Sequence, residues 1–364
     1  MIASLLRRTI TGGAAALNLG NNLVESSASG VVPAAFVSSP SGFCRGDVFI
    51  RPTSLAPISE EVTDYQRGIA TLRESLAADD VHHLQEQSKS FLLAHETLPE
   101  RGTLVLFHGW SAGAWQFEEM AQRFYDAGYT VYAPRLPGHG YAGNDNQHDN
   151  SRLPKADQSA NYEAYVEKIH SRIAELPGPK SVVGFSGGGA IAMRSAERYD
   201  DIEKAVLIAP FLRPKKSPAR FLNRVVTVLD PLTSGGMGRL IDQIPFTMSR
   251  SGTTEGLERG CSGHAEVSVG NIHALAKFGA EVLKDADKAS AKVQFILSRS
   301  DRTSDDASME ELFSRLGDAD KHKWFEFSKD ENVPHTMVHP KERGCPKEKT
   351  DKVFDVALGF LTAE

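Results

Sequence analysis

Short apolar runs alternate with amphipathic segments along the chain from about residue 88 onward. Runs of this length with few polar positions are typical of strands buried on both faces, and helical spacing of apolar residues marks the segments between them. Seven runs are present: SFLLAH (90–95), TLVLFH (103–108), YTVYAP (129–134), SVVGF (181–185), KAVLIAP (204–210), VQFILS (293–298) and KWFEF (323–327). They predict an α/β fold with a mostly parallel central sheet, helices on both faces and ligand chemistry at the carboxyl ends of the strands.

Two stretches do not follow this alternation. Residues 1–57 include the linker-like SSASGVVPAAFVSSPSG and predict an N-terminal arm or linker. The segment after the fifth run is far longer than one crossover helix requires. We therefore expect a core built from residues 58–210 and 263–364, with residues 211–262 as a lid inserted above the carboxyl edge of the sheet.

Composition narrows the possible partners. A net charge of −6 argues against nucleic acid, because phosphate binding needs a basic surface. The three cysteines form no CxxC pair, and no nucleotide-binding glycine loop occurs, so neither a metal nor a cofactor is expected. No run of 18 apolar residues predicts a transmembrane span. The N-terminal Arg pair and its short, interrupted apolar stretch resemble an export signal only weakly; we expect a cytoplasmic protein, with export as the alternative.

Two stretches, GWSAG (109–113) and GFSGG (184–188), fit Gly-x-Ser-x-Gly, which marks a serine on a sharp turn between a strand and a helix. GFSGG follows the fourth of the seven runs, so neighbouring strands on both sides can supply a base and oxyanion donors. The glycines after it leave room for the strained turn, whereas Trp115 stands behind GWSAG. The pattern predicts Ser186 as a nucleophile and Ser111 as a loop residue. The alternative is a glycine-rich connection without chemistry.

The segments VVGFSGGGA, LVLFHGWSAG and YTVYAPRLPGHG together resemble the α/β-hydrolase fold, and within it the carboxylesterase and monoacylglycerol-lipase branch. The resemblance extends over residues 88–362. It implies that the backbone N–H groups of Trp110 and Gly187 form an oxyanion hole. It also implies that His108 and His139 orient loops rather than take part in the chemistry.

The other two members of a catalytic triad are sought after the nucleophile, because the chain order in this fold is serine, acid, histidine. Asp301 stands three residues past the sixth run. The competing acids lie in TSDDASMEEL (303–312), which is typical of a helix start. His335 follows the last run, where the family has its base, and His339 is the alternative. The sequence predicts the triad Ser186, Asp301 and His335.

The insertion bears on the substrate. Its apolar residues Phe221, Val225, Leu229 and Phe246 are predicted to bind a hydrophobic acyl group, or else to pack the lid onto the core. Basic residues between 213 and 224 form either a solvated face or a contact for anionic lipid surfaces. We expect a serine carboxylic-ester hydrolase that acts on a small-molecule or lipid-like ester through an acyl-enzyme. The alternatives are a serine aminopeptidase or amidase of the same fold, and a binding protein without catalysis.

Overall fold

A computed structural model describes residues 64–80, 83–143, 148–215, 225–229, 232, 235–247, 263–341 and 345–363. All seven apolar runs form strands, and two further short strands lie near the insertion. In chain order they are β1 (Phe91–Leu93), β2 (Thr103–Phe107), β3 (Thr130–Ala133), β4 (Lys180–Phe185), β5 (Ile202–Ile208), β6 (Pro245–Thr247), β7 (Glu266–Ser268), β8 (Lys292–Ser298) and β9 (Lys323–Phe327).

The amphipathic segments form helices between these strands. They are α1 (Asp64–Asp79), α2 (Glu118–Asp126), α3 (Ala160–Ile173), α4 (Gly187–Arg198), α5 (Gly236–Ile241), α6 (Val269–Asp285), α7 (Asp306–Arg315) and α8 (Lys347–Thr362). None of these helices is long and apolar enough to cross a membrane. The arm predicted for residues 1–57 lies outside the described residues.

The central sheet has the strand order β1-β3-β2-β4-β5-β8-β9. Only β1 runs antiparallel to its neighbour, so the predicted mostly parallel sheet is confirmed. Strand β4 lies in the middle of the seven, directly beside β2, and Phe107 pairs with Gly184 at the carboxyl ends. The two Gly-x-Ser-x-Gly turns therefore leave adjacent strands at the same edge of the sheet.

Alternation along the strands divides the core into two layers, since successive side chains in a strand point to opposite faces. Val105 of β2 belongs to one apolar cluster with helices α1, α3, α4 and α6. Its neighbour Leu106 belongs to the other, with α2 and α8. Both side chains are fully buried. Each such residue contributes about 1.5–3 kcal/mol of transfer free energy, and together they hold the carboxyl edge of the sheet in place.

The described part of the insertion packs on the core through few residues. Val226 and Ile241 are fully buried and contact Ala156. The Asp242 carboxylate accepts a 3.0 Å hydrogen bond from the Ala156 N–H. Strand β6 of the insertion pairs antiparallel with β7, which lies after residue 262.

Candidate active site

Ser186 lies at the junction of β4 and α4 in a backbone conformation that L-residues rarely adopt, with φ 53° and ψ −118°. Three hydrogen bonds hold this turn. The Ser186 N–H donates to the Ile208 carbonyl at 2.9 Å, and the Ser186 carbonyl accepts from Gly189 (2.9 Å) and Phe211 (2.8 Å). Neighbouring structure thus fixes a conformation that costs about 1–3 kcal/mol on its own.

Close backbone contacts explain the glycines around this serine. A Cβ atom at Gly188 would lie 2.0 Å from the Phe107 carbonyl oxygen, and one at Gly184 would lie 2.1 Å from the Gly188 carbonyl oxygen. Neither position admits a side chain without moving the backbone. These glycines therefore let α4 start close against β2 and β4, as the strained turn requires.

The structure brings Ser186, His335 and Asp301 together in one hydrogen-bonded row. His335 Nε2 lies 2.9 Å from Ser186 Oγ, and His335 Nδ1 lies 2.7 Å from Asp301 Oδ2. Because an ionised carboxylate can only accept, Nδ1 carries the proton and Nε2 accepts from the serine hydroxyl. His335 is half-buried and its ring packs beside Phe185, at 5.1 Å between centroids.

Asp301 is almost fully buried, at 2% exposure. Its second carboxylate oxygen accepts from the N–H groups of Thr303 (2.6 Å) and Ser304 (3.3 Å). Burial alone would raise the pKa of Asp301, but the His335 charge and hydrogen bond and these two N–H donors together lower it below its ordinary value. The group therefore stays ionised and able to orient the imidazole.

The residues that competed for these roles have other contacts. Asp306 begins α7 and pairs with Lys215, whose ammonium lies 2.9 Å from the carboxylate. His339 is buried with its ring edge against Trp115, and its Nδ1 accepts from the Lys341 N–H. Burial lowers the pKa of His339 to about 4.

The turn at Ser111 lies beside the Ser186 turn through Trp110 and Gly187. A Cβ atom at Gly187 would lie 2.8 Å from the Trp110 Cβ and 3.5 Å from its backbone nitrogen. Gly187 is the first residue of α4, so its N–H has no acceptor within the helix. The Trp110 indole donates to the Tyr162 hydroxyl at 3.1 Å, which anchors its side chain. Two backbone donors thus stand next to each other beside the serine.

Two buried histidines brace this turn against the loop after β3. The Ser111 N–H donates to His139 Nε2 at 3.0 Å, and His139 Nδ1 donates to the Pro137 carbonyl at 2.9 Å. His108 repeats the arrangement, with Nε2 accepting from the Leu136 N–H at 3.0 Å. Both imidazoles must be neutral to accept these bonds. Burial, the largest cause, lowers the pKa of His108 to about 4 and that of His139 well below its ordinary value.

His264 completes this brace, and the sequence offered no spacing or motif that would have identified it. Its backbone N–H donates to the Ser111 carbonyl at 2.7 Å. Its fully buried ring packs edge-on against His139, at 5.0 Å between centroids, and contacts the Asn150 amide oxygen. Both backbone groups of Ser111 are therefore held by histidine residues.

The predicted acyl-pocket residues are not enclosed by the described part of the chain. Leu229 and Phe246 are 38% and 41% exposed, and Val225 is half-buried. Phe221 lies outside the described residues. No group of three or more His, Cys, Asp or Glu side chains within the described ranges could hold a metal ion.

Comparison with known proteins finds a lipase of similar sequence. A monoacylglycerol lipase of Mycolicibacterium smegmatis is 31% identical over 137 residues, which cover 37% of this chain and 47% of the relative. The chain thus spans about half the length of the curated relative that it matches.

Solved structures share the fold at low identity. A monoacylglycerol lipase of Paleococcus ferrophilus matches with a TM-score of 0.54 and 22% identity, over 75% of this chain and 97% of that one. A soluble variant of monoglyceride lipase from Saccharomyces cerevisiae, in complex with a substrate analogue, matches with a TM-score of 0.54 and 15% identity, over 75% and 90%. These likenesses confirm the α/β-hydrolase fold.

The sequence pattern of one family matches residues 99–326, which is more than half of the chain. The matched range includes Ser186 and Asp301 and ends before His335. The chain belongs to the family of α/β-hydrolases described as serine aminopeptidase, S33.

Proposed function

We propose that this protein is a serine carboxylic-ester hydrolase that works through an acyl-enzyme. The observation that carries the proposal is the hydrogen-bonded row from Asp301 through His335 to Ser186, beside two adjacent backbone donors. A serine hydroxyl becomes a nucleophile when an oriented base takes its proton. The row supplies the base and the group that orients it.

In the first half of the reaction, Ser186 Oγ attacks the ester carbonyl carbon while His335 Nε2 takes the hydroxyl proton. The carbonyl oxygen becomes an oxyanion, which the N–H groups of Trp110 and Gly187 stabilise. Fixed donors do this without reorganising as charge develops. The Asp301 carboxylate stabilises the imidazolium across the 2.7 Å contact with Nδ1.

The tetrahedral intermediate then collapses. The carbon–oxygen bond to the alcohol breaks, and His335 returns its proton to the leaving alkoxide, which departs as the alcohol. The acyl group remains on Ser186 Oγ. Water attacks this acyl-enzyme with His335 as base again, and collapse of the second intermediate releases the carboxylic acid and restores the serine hydroxyl.

The substrate side of the proposal rests on the insertion and on one relative. Five large apolar side chains of the described insertion are exposed: Val228, Leu229, Leu232, Leu240 and Phe246. Apolar surface of this kind suits contact with a hydrophobic acyl chain or a lipid surface. The relative from Mycolicibacterium smegmatis is described as a monoacylglycerol lipase. We infer an ester with a hydrophobic acyl group as the substrate class.

An aminopeptidase activity is the second candidate, because it is in the name of the matched family. One panel separates the two: aryl esters of graded acyl length, a monoacylglycerol and an aminoacyl arylamide, each assayed with the wild-type protein. We expect kcat/KM to rise with acyl length up to a maximum, since each buried methylene adds up to about 0.8 kcal/mol. Faster cleavage of the arylamide than of every ester would replace the ester proposal with the peptidase.

The predicted acyl-pocket residues are tested with the same esters. We expect Phe246→Ala to flatten the rise with acyl length while acetyl esters are cleaved nearly as before. Leu98→Ala is the control. Leu98 is also an exposed apolar residue, at 58% exposure, but it lies outside the insertion. An unchanged chain-length profile in Phe246→Ala would place the acyl pocket elsewhere.

A further inference from the structure

A cavity lies at the carboxyl end of β3, between the loop at 134–138, helix α3 and the end of α1. Its volume is about 210 Å³. This is several times what one water needs, yet it is below the roughly 300–1,000 Å³ typical of pockets for drug-sized molecules. The cavity therefore suits a small ligand.

Positive charge predominates in this cavity. Arg135, Lys168 and Arg172 line it against one carboxylate, that of Asp79. Asp79 pairs with Arg172 at 2.7 Å and with Lys168 at 3.0 Å. The Arg135 guanidinium instead donates to the His139 carbonyl at 2.7 Å, so no carboxylate of the lining neutralises its charge. Asp80 lies near Arg135 but outside the lining; burial raises its pKa, and the charges of Lys89 and Arg135 partly offset that rise.

Two donors of the cavity lack acceptors. The Tyr165 hydroxyl and the Arg135 Nε are buried and have no hydrogen-bond partner among the described residues. Tyr165 as a whole is only 8% exposed, and it lines the cavity together with Arg135, Arg172, Tyr132 and Asp79. Buried donors are nearly always hydrogen-bonded, and each one left without a partner costs free energy.

We propose that this cavity binds a small tetrahedral oxyanion, either free phosphate or the phosphomonoester group of a small molecule. Such an ion brings several acceptor oxygens, and its negative charge suits a lining in which three cationic side chains face one carboxylate. Guanidinium groups suit it because their N–H donors form charge-assisted hydrogen bonds with phosphate oxygens. The Tyr165 hydroxyl and Arg135 Nε donate to it, and Lys168 contributes charge at the rim. The site is separate from the ester-cleaving residues and needs no hydrolysis to be tested.

The test is a titration of the full chain, without ester, with inorganic phosphate and in parallel with glycerol 3-phosphate. Binding is followed by calorimetry and by the thermal unfolding midpoint, with sodium chloride at equal ionic strength as the reference. We expect a saturable rise in the midpoint with the anions but not with chloride, since a ligand that binds only the folded state stabilises it. If inorganic phosphate binds, a free anion is sufficient to occupy the cavity. If only glycerol 3-phosphate binds, the ligand is an organic phosphomonoester.

Tyr165→Phe is the decisive variant, because it removes only the hydroxyl that has no protein partner. Without anion it should unfold at a midpoint no lower than that of the wild type. Its anion affinity should fall about tenfold or more, as expected for a lost hydrogen bond to a charged ligand. Tyr199→Phe is the matched control, since Tyr199 stacks on His170 away from this lining. Equal affinities in the two variants, or no saturable response to either anion in the wild type, would overturn the proposal.

Discussion

The turns at Ser111 and Ser186 have the same five-residue pattern and nearly the same backbone character. Both serines have positive φ, 74° and 53°, and both are buried, at 6% and 7% exposure. They follow neighbouring strands, β2 and β4, at one edge of the sheet. The pattern, the sign of φ and the burial do not by themselves tell the two serines apart.

Their surroundings differ. The Ser186 hydroxyl lies 2.9 Å from His335, whereas Ser111 has both of its backbone groups bonded to histidine residues, its N–H to His139 and its carbonyl to the N–H of His264. Both turns are held through their backbone groups, but the Ser186 turn also presents its hydroxyl to His335. The comparison teaches that Gly-x-Ser-x-Gly marks a strained turn, and that the groups packed around the turn decide whether its side chain or its main chain is used.

The largest expected effect on activity comes from removing the side chain of Ser186. Ser186→Ala should lower kcat/KM for an aryl ester by at least about 10⁴-fold, because the nucleophile is lost and only binding and the oxyanion donors remain. Ser111→Ala is the matched control and should keep at least about a tenth of the activity, because only backbone groups are used at that turn. A fluorophosphonate adduct mapped to Ser111 would reverse the two assignments.

The histidine pair after β9 gives an effect of similar size. His335→Ala should lose nearly all activity, because no base remains to take the Ser186 proton. His339→Ala serves as control, and we expect it to stay active since that ring packs against Trp115. An inactive His339→Ala alongside an active His335→Ala would contradict the site.

The pH dependence of the free energy of unfolding tests the other part of the comparison, the buried histidines that hold the Ser111 turn. Burial disfavours the charged form of His108 and lowers its pKa to about 4 in the folded protein, while the unfolded chain takes up that proton near the ordinary pKa of 6.5. The unfolded state therefore binds more protons between these values, and stability should fall as pH drops from about 6.5 to about 4. His108 alone accounts for up to about 3 kcal/mol, at 1.36 kcal/mol for each pH unit.

This pH effect is measured as the free energy of unfolding in urea at several pH values across that window. His108→Gln should show a shallower dependence by about one proton, whatever its stability at neutral pH. A slope identical to that of the wild type would mean that His108 does not remain neutral in the folded state.

The smallest expected effect concerns the brace itself. His139→Ala removes the acceptor of the Ser111 N–H and so loosens the Trp110 donor next to it. Loss of a whole oxyanion donor costs about 10²–10³ in kcat, and we expect a loss of about 10- to 100-fold for this indirect change. KM should change little, since the donor acts on charge that develops during the reaction. A rise in KM at constant kcat would show that His139 serves substrate binding instead.

The sequence predicted the sheet well because buried strands such as β2, TLVLF, are uninterrupted apolar runs. Strands β6 and β7 left no comparable signal, as each has three residues and β6 is exposed throughout. The order of Ser186, Asp301 and His335 along the chain was readable, because each follows a predicted strand. The distances between these three side chains depend on packing in the folded protein. The periodicity of apolar residues along the sequence does not encode that packing.

Two features of the site could not be read from the sequence for physical reasons. His264 acts through a backbone N–H and the packing of its ring, and neither depends on a motif. In the insertion, apolar spacing identifies a face but not what covers it. Val226 is fully buried there, whereas Leu229 and Phe246 are substantially exposed.

The separation of the site residues along the chain has a consequence for folding. Ser186 and His335 are 149 positions apart, and the Tyr129 hydroxyl bonds to the carbonyl of Leu361, 232 positions away. Contacts between such distant segments form slowly, because long loops must close before the contacts can stabilise the chain. His335 follows the last strand, β9, in the chain, so we expect the base to reach the serine only after β9 has docked. During refolding, ester cleavage should therefore not recover before the sheet is complete. The recovery of activity then reports the time at which the last strand joins the sheet.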